Sequence, residues 1–225
     1  MFLKDRQRRN IDYIQTIKGV VTLLRDPGQT DSIYDVEEGL RNIKAAPLSV
    51  EFLKSKPEVA AIIAERYLAP EPDMNALLKL PKGSLGYEYA SYLTEAGFDP
   101  NFYRKIAVVD DVSYVFLRIR QSHDIWHIIT GMKTDVIGEL GLKGFELAQT
   151  RRPMSIILLA GGLLRTLLSS PEHLDLLLDR IAVGYRMGAK AKPFLLAQKW
   201  EENWEKSVAE WRSELGVELA PVYVP

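Results

Sequence analysis

The chain has 225 residues, of which 47% are hydrophobic, and its 29 basic and 30 acidic residues leave a formal net charge of −1. This composition is typical of a globular protein, and we expect residues 1–225 to form a single domain. The nearly neutral charge gives no general attraction for polyanions, so no nucleic-acid partner is expected. The absence of cysteine excludes disulfides and thiolate metal ligands.

The start of the chain and its longest apolar run bear on membrane association. Charged residues follow the first three residues with no apolar segment behind them, so no secretory signal is predicted. The longest apolar run covers residues 156–164, far short of the roughly 20 residues that a membrane-spanning helix needs. We therefore expect a soluble or peripheral protein.

Apolar residues recur at helical spacing along almost the whole chain, which predicts an all-α fold, a single compact domain of many helices. In the first half, the only candidate strand is residues 105–109, because no longer alternating pattern occurs. The helices predicted there cover residues 11–24, 31–42, 57–67, 74–80 and 87–96, with a short one that begins at residue 49 or 50.

Two consecutive helices are predicted in the middle of the chain. The first covers residues 112–130 and is capped by Asp110 or Asp111. The second begins at Thr134 or Asp135 and continues through residue 149. The short connection between them predicts that they are antiparallel neighbours.

The last part of the chain begins with a segment, residues 153–168, that is apolar on nearly all sides. We expect this helix to be central, and its Arg165 needs a partner or an opening to water because a buried charge is costly. Helices over residues 171–187 and 193–215 complete the fold, and His173 is interpreted as a surface residue.

Three other sets of residues have alternative interpretations. One basic cluster either contacts anionic lipid or is a solvated terminus, which we favour: Lys4, Arg6, Arg8 and Arg9. Further basic residues either receive a phosphate or lipid head group or are ordinary surface charge: Arg151, Arg152, Lys190 and Lys192. Four glycines indicate close helix packing or a groove for an apolar ligand: Gly131, Gly138, Gly141 and Gly144.

The most informative motif contains two of the three histidines, His123 and His127, four residues apart. Residues at this spacing share one face of a helix, so both imidazoles can converge on one point. Asp124 lies beside His127 around the helix, and Glu139 follows after eleven intervening residues. Two imidazoles and two carboxylates suit a borderline divalent cation such as zinc, iron(II) or manganese(II). We predict that His123, Asp124, His127 and Glu139 bind a divalent metal ion and form the catalytic site.

The alternative to a metal site is a structural histidine pair in which Asp124 only orients His127 by a hydrogen bond. The motif also differs from the His-Glu-x-x-His motif of zinc peptidases. Its Asp124 is one methylene shorter than the glutamate that acts as base in those enzymes, so peptidase chemistry is not predicted.

The motif and its surroundings resemble the ubiquinone biosynthesis protein four family of coenzyme Q assembly factors. The resemblance extends weakly from about residue 23 to residue 215 and is strongest from residue 80 to residue 149. Residues 179–191 match only loosely, so the resemblance does not indicate a surface for lipid entry or partner binding. Besides the motif, the matching segments are residues 80–86 (LPKGSLG), residues 97–100 (GFDP), Asp110 and Asp111 with Tyr114 and Arg118, Gly138 with Glu139, and Phe145 with Glu146.

The resemblance implies an all-helical fold that holds a divalent ion, zinc by this comparison, through His123, Asp124, His127 and Glu139. It also implies a peripheral role at a membrane surface, a polyprenyl lipid or prenylated quinone precursor as ligand, and other quinone-biosynthesis proteins as partners. Because no mitochondrial presequence is recognised, we expect a bacterial protein, cytoplasmic and peripheral to the inner membrane. A homodimer is left open.

Two functions remain open. The first is an enzyme of ubiquinone or prenylquinone biosynthesis that acts in the oxidative decarboxylation of a prenylated hydroxybenzoate ring. The second is a non-catalytic lipid-binding scaffold that organises a quinone-biosynthesis complex, which four protein ligands and no open coordination position would favour. A metal phosphohydrolase of the His-Asp class is disfavoured, because no histidine precedes His123.

Overall fold

The computed structural model describes residues 30–41, 43–99 and 103–219. The helix predicted at residues 11–24 and the basic cluster at residues 4–9 lie outside this part. Within it the all-α prediction is confirmed, and residues 105–109 form no strand. The helices are α1 (Thr30–Leu40), α2 (Ala45–Lys54), α3 (Pro57–Glu65), α4 (Met74–Leu77), α5 (Leu85–Ala96), α6 (Asp111–Thr130), α7 (Val136–Thr150), α8 (Pro153–Ser169), α9 (Leu174–Lys190) and α10 (Val208–Leu215).

Capping residues determine where α6 begins and ends and where α7 begins. The Asp110 side chain accepts from the Ser113 backbone, and Ser113 completes a capping box. Gly131 ends α6 with a φ of +68°, a left-handed conformation that glycine adopts without steric cost. Asp135 caps α7 by accepting from the backbone N–H of Gly138. The connection is therefore short, and it fixes how the two helices face each other.

The main core is assembled from α2, α3, α5, α6, α7 and the C-terminal segment. Its largest fully buried side chains include Trp126 on α6 and Trp200 in the C-terminal segment. Because burial of such rings contributes strongly to stability, α6 is held firmly through the middle of the domain.

Residues 153–168 form a helix as expected, within α8, but the expectation that this helix is central is wrong. On α8 only Met154, Ser155, Leu159 and Thr166 are buried, and Leu168 is 77% exposed. The physical reason is that α7 packs most extensively on α9, so α8 contacts α7 with only one of its faces. A Cβ atom added to Gly184 on α9 would lie 1.9 Å from the carbonyl oxygen of Gly141 on α7, so the two backbones touch. Close packing, and not a ligand groove, explains the glycines at this contact.

The single helix predicted over residues 193–215 is also wrong. The chain forms two 3₁₀ turns, Leu195–Ala197 and Trp200–Glu202, before α10. Leu195 and Trp200 are fully buried, so tertiary packing overrides the local helical pattern. A new helix then starts at Ser207, whose side chain forms a capping box with Glu210.

The other boundaries differ by small amounts. Helix α2 begins at Ala45, four or five residues before the expected start, because Pro47 is tolerated in a first helical turn. His173 is exposed, as predicted. Among the described helices, none has the length and apolar character that crossing a bilayer requires.

Candidate metal centre

Three of the four predicted ligands meet where the C-terminal part of α6 faces the first turn of α7. The ligand atoms of His123, His127 and Glu139 all lie within 4.8 Å of one another. Nε2 of His127 is 3.0 Å from Oε1 of Glu139, and Nε2 of His123 is 3.7 Å from Oε2 of the same carboxylate. The two imidazole rings are 4.7 Å apart between centroids. These separations leave room for one cation bound by all three groups.

The hydrogen bond of His127 determines which of its nitrogens is available. Nδ1 lies 2.8 Å from the backbone carbonyl oxygen of Met132. A carbonyl oxygen can only accept, so Nδ1 carries a proton, and Nε2 is the ring nitrogen that can bind a metal ion. Nε2 is buried and faces the Glu139 carboxylate, whose Oε1 lies 3.0 Å away. A neutral imidazole with its other N–H fixed by a backbone carbonyl is the usual form of a metal-bound histidine.

The third group, Glu139, is ionised and faces Nε2 of His127. Burial raises the pKa of Glu139, but its hydrogen bond with His127 and the electrostatic effect of His123 and Lys143 outweigh burial and hold its pKa at about 2. A carboxylate oxygen and a nitrogen lone pair at 3.0 Å repel each other unless a proton or a metal cation lies between them. The residues present therefore fit a divalent ion.

Asp124 is placed differently from the other predicted ligands. Its Oδ1 lies 3.5 Å from Nδ1 of His123, and it is not one of the three residues whose ligand atoms converge. At this position it can orient the His123 ring and leave Nε2 pointed at the cluster. Direct ligation by Asp124 stays a prediction.

A buried ion network next to the centre was missed in the sequence. Glu146 on α7 accepts from Lys143, Arg152 and Ser155, and Arg152 also pairs with Glu37 on α1. Arg152 is thus a buried partner and not ordinary surface charge. Burial raises the pKa of Glu146, but the surrounding cations, Lys143 foremost, hold it at about 2. The sequence shows that Glu146 belongs to the same predicted helix as Glu139. The contact between Arg152 and Glu37, however, joins residues 115 positions apart, and no local pattern predicts it.

A cavity of about 180 Å³ lies against another face of α6. Gln121 and Ile125 of α6 line it, together with Tyr89 and Trp204. His123 and His127 are two residues further along α6, a rotation of about 200°, so they point to the opposite side. None of the three clustered residues lines this cavity.

The fold and the cluster define an all-helical protein with a site of two histidines and one carboxylate between consecutive helices. The family model described as "Coenzyme Q (ubiquinone) biosynthesis protein Coq4" matches residues 14–221. The chain belongs to this family of ubiquinone biosynthesis proteins, as its sequence motifs indicated.

Individual relatives support the assignment. The zebrafish (Danio rerio) protein named ubiquinone biosynthesis protein COQ4 homolog, mitochondrial, is 35% identical over 174 residues, or 76% of this chain and 63% of that protein. The human protein of the same name is 32% identical over 176 residues, 76% and 65% of the two chains. The matched region therefore spans less than two thirds of these curated relatives.

The fold also matches an experimental structure. A crystal structure of a protein assigned to ubiquinone biosynthesis from Nostoc punctiforme is similar with a TM-score of 0.83 and 38% identity. The match covers 92% of this chain and 98% of that one. The single all-helical domain is thus shared with a bacterial protein.

Proposed function

We propose that this protein binds one divalent metal ion through His123, His127 and Glu139 and acts in the oxidative decarboxylation of a prenylated hydroxybenzoate during ubiquinone or prenylquinone biosynthesis. The observation that carries the proposal is the convergence of His123, His127 and Glu139, in which the buried Nε2 of His127 lies 3.0 Å from the ionised Glu139. The family assignment supplies the pathway.

The number of converging groups supports a chemical role. Only three of the predicted ligands meet, so a bound ion would keep open coordination positions, as metals in catalytic sites do. Two histidines and one carboxylate are also the ligand set of iron(II) oxygenases that use dioxygen. A metal in this site would act as a Lewis acid toward a ring carboxylate and provide a position for dioxygen. Zinc and manganese(II) remain alternatives for the same donors.

Residues around the metal centre orient the two histidine rings and supply the negative charge that a metal ion needs. Met132 fixes the His127 ring through its carbonyl, and Asp124 lies beside the His123 ring. Glu139 stays ionised across the physiological range because its pKa is held at about 2. Together these groups would hold the ion, and the ligand's carboxylate on it, in one orientation.

Exposed apolar side chains on α8 and α9 support a peripheral membrane role. On α8, Ile156, Leu164, Leu167 and Leu168 are between 46% and 77% exposed, and Leu178 on α9 is 53% exposed. Apolar surface of this kind suits a bilayer surface, a polyprenyl tail, another protein of the pathway or a second copy of this chain. We propose the bilayer and the prenyl tail as its main ligands, at the cytoplasmic face of a bacterial inner membrane. Mass spectrometry of the purified protein should then detect a long-chain lipid, and a lipid-free protein would contradict this part.

The test of function is the substitution Glu139→Gln, which preserves size and removes the charge. We expect a folded protein that binds metal weakly and loses both activity on a prenylated hydroxybenzoate and rescue of a strain lacking its own family member. Glu172→Gln, on the surface in the 3₁₀ turn that precedes α9, is the control and should behave as the wild type. Full rescue by a folded, metal-free Glu139→Gln variant would instead identify the protein as a non-catalytic scaffold.

A further inference from the structure

The last turn of α6 ends in backbone carbonyls that the following residues do not satisfy. The final four carbonyl oxygens of an α-helix have no partner within the helix. The backbone N–H of Gly131 donates to the carbonyl of His127 at 2.9 Å and satisfies that one. Among the described residues, no backbone N–H bonds to the next two carbonyls, those of Ile128 and Ile129. Their donors must therefore come from elsewhere in the fold.

Arg212 on α10 donates to both of these carbonyls. Its Nε lies 2.9 Å from the carbonyl oxygen of Ile129, and its Nη2 lies 2.7 Å from that of Ile128. A guanidinium presents its donors in a rigid planar fork, so one group fixes two consecutive carbonyls relative to each other. Its positive charge also lies at the negative end of the α6 dipole, where a cation is stabilising.

The helix that carries Arg212 is itself firmly placed. Ser207 forms a capping box at the start of α10, and the buried Trp211 packs against Trp200 with 4.7 Å between ring centroids. Both hydrogen bonds of Arg212 go to backbone carbonyls, which lie 83 and 84 positions earlier in the chain. Arg212 therefore fastens the end of α6 to a rigid part of the C-terminal segment.

The turn that Arg212 holds carries one of the metal-binding residues. His127 directly precedes Ile128, and its Nε2 lies 3.0 Å from Oε1 of Glu139. Its Nδ1 bonds to the carbonyl oxygen of Met132, just beyond the end of the helix, at 2.8 Å. The last turn of a helix frays readily when its carbonyls lack donors. Fraying here would displace both the His127 ring and the carbonyl that orients it.

We propose that Arg212 is a positioning residue for the metal centre, because it holds the last turn of α6 in the geometry in which Nε2 of His127 faces Glu139. The proposal rests on the proposed function, since it requires that a metal ion binds at this site. Arg212 bonds to the backbone of α6, so it acts on metal affinity through the position of His127 and not by direct ligation.

The experiment titrates the metal-free protein with cobalt(II) and follows binding by visible absorption. Arg212→Met keeps an aliphatic side chain and removes both donors. Loss of a residue that orients a metal ligand weakens metal binding by about 10–100-fold, so we expect the variant to bind cobalt(II) at least about 10-fold more weakly than the wild type. Arg212→Lys keeps the charge without the planar fork, and its affinity should lie between the two. Arg186→Met, the same change at an exposed arginine of α9, is the matched control and should bind cobalt(II) as the wild type does.

Hydrogen exchange separates a positioning role from a general structural one. In metal-free Arg212→Met the backbone N–H of Gly131, which bonds to the His127 carbonyl, should exchange faster than in the wild type, while that of Phe145 in the core should not. Faster exchange at both positions, with unchanged cobalt(II) affinity of the folded protein, would show a purely structural role and overturn the proposal.

The affinity measurement also separates this proposal from the proposed function. Wild-type cobalt(II) affinity in Arg212→Met, or in Arg212→Lys if the first variant does not fold, would overturn the role of Arg212 alone. A wild-type protein that binds no cobalt(II) would overturn the proposed function together with it.

Discussion

Replacing the buried carboxylate of Glu146 by an amide tests whether the ion network supports the helix that carries Glu139. Only 2% of the Glu146 side chain is exposed, and it accepts from Lys143 at 2.7 Å, Arg152 at 2.8 Å and Ser155 at 2.9 Å. Glu146→Gln keeps the shape, removes the paired carboxylate of Lys143 and leaves Arg152 with Glu37 as its remaining partner. Breaking a buried ion pair from one side costs about 3–5 kcal/mol.

The pKa of Glu146 gives a second estimate of how much stability the substitution removes. Folding lowers this pKa from 4.5 to about 2, which corresponds to ~3 kcal/mol of stability from the ionised form. Because the folded-state pKa is depressed, this stability is present in full above pH 4.5 and is lost as the pH falls toward about 2. The two routes agree in magnitude.

Urea unfolding followed by circular dichroism measures the difference in unfolding free energy between the wild type and Glu146→Gln. At pH 7 the variant should be less stable than the wild type by ~3 kcal/mol, and the gap should narrow as the pH falls below 4.5. The surface variant Glu172→Gln should stay within ~0.5 kcal/mol of the wild type at pH 7. A loss of less than ~1 kcal/mol for Glu146→Gln, or a gap that does not depend on pH, would refute the reasoning.

Two other substitutions test buried contacts elsewhere in the fold. Gly184→Ala places a methyl group 1.9 Å from the Gly141 carbonyl oxygen, so α9 must shift away from α7. Thermal or urea unfolding should show that the free energy of unfolding falls by ~2 kcal/mol or more. A variant as stable as the wild type would mean that the two helices are not in backbone contact. The guanidinium of Arg118 has no exposed surface, and Glu201→Gln removes its charged partner at 2.8 and 3.0 Å. We expect the free energy of unfolding to fall by ~3 kcal/mol, and the double variant Arg118→Leu with Glu201→Leu to recover most of this loss. A double variant no better than Glu201→Gln would contradict this.

The parts of the fold that the sequence predicted are those governed by local chemistry. Asp110, Gly131 and Asp135 act through hydrogen bonds and backbone conformations within a few residues, so the ends of α6 and the start of α7 were predictable. The convergence of His123, His127 and Glu139 followed from helical spacing and this short connection.

The parts that were not predictable depend on distant contacts. The apolar pattern of α8 indicated burial, but backbone contact between Gly141 and Gly184 put α7 and α9 together and left α8 outside. The segment after residue 193 had a helical pattern, yet burial of Trp200 required a different backbone. Pairing of Glu37 with Arg152 joins α1 to the connection between α7 and α8, which no local pattern indicates.

Metal content per chain, measured by elemental analysis, tests the central claim most directly. Wild-type protein and the His173→Ala variant, whose substitution lies at an exposed position, should each hold about one divalent ion per chain. His127→Ala removes the buried Nε2 beside Glu139 and should hold close to none while staying folded. Equal metal content in all three proteins would contradict the assignment of the metal centre.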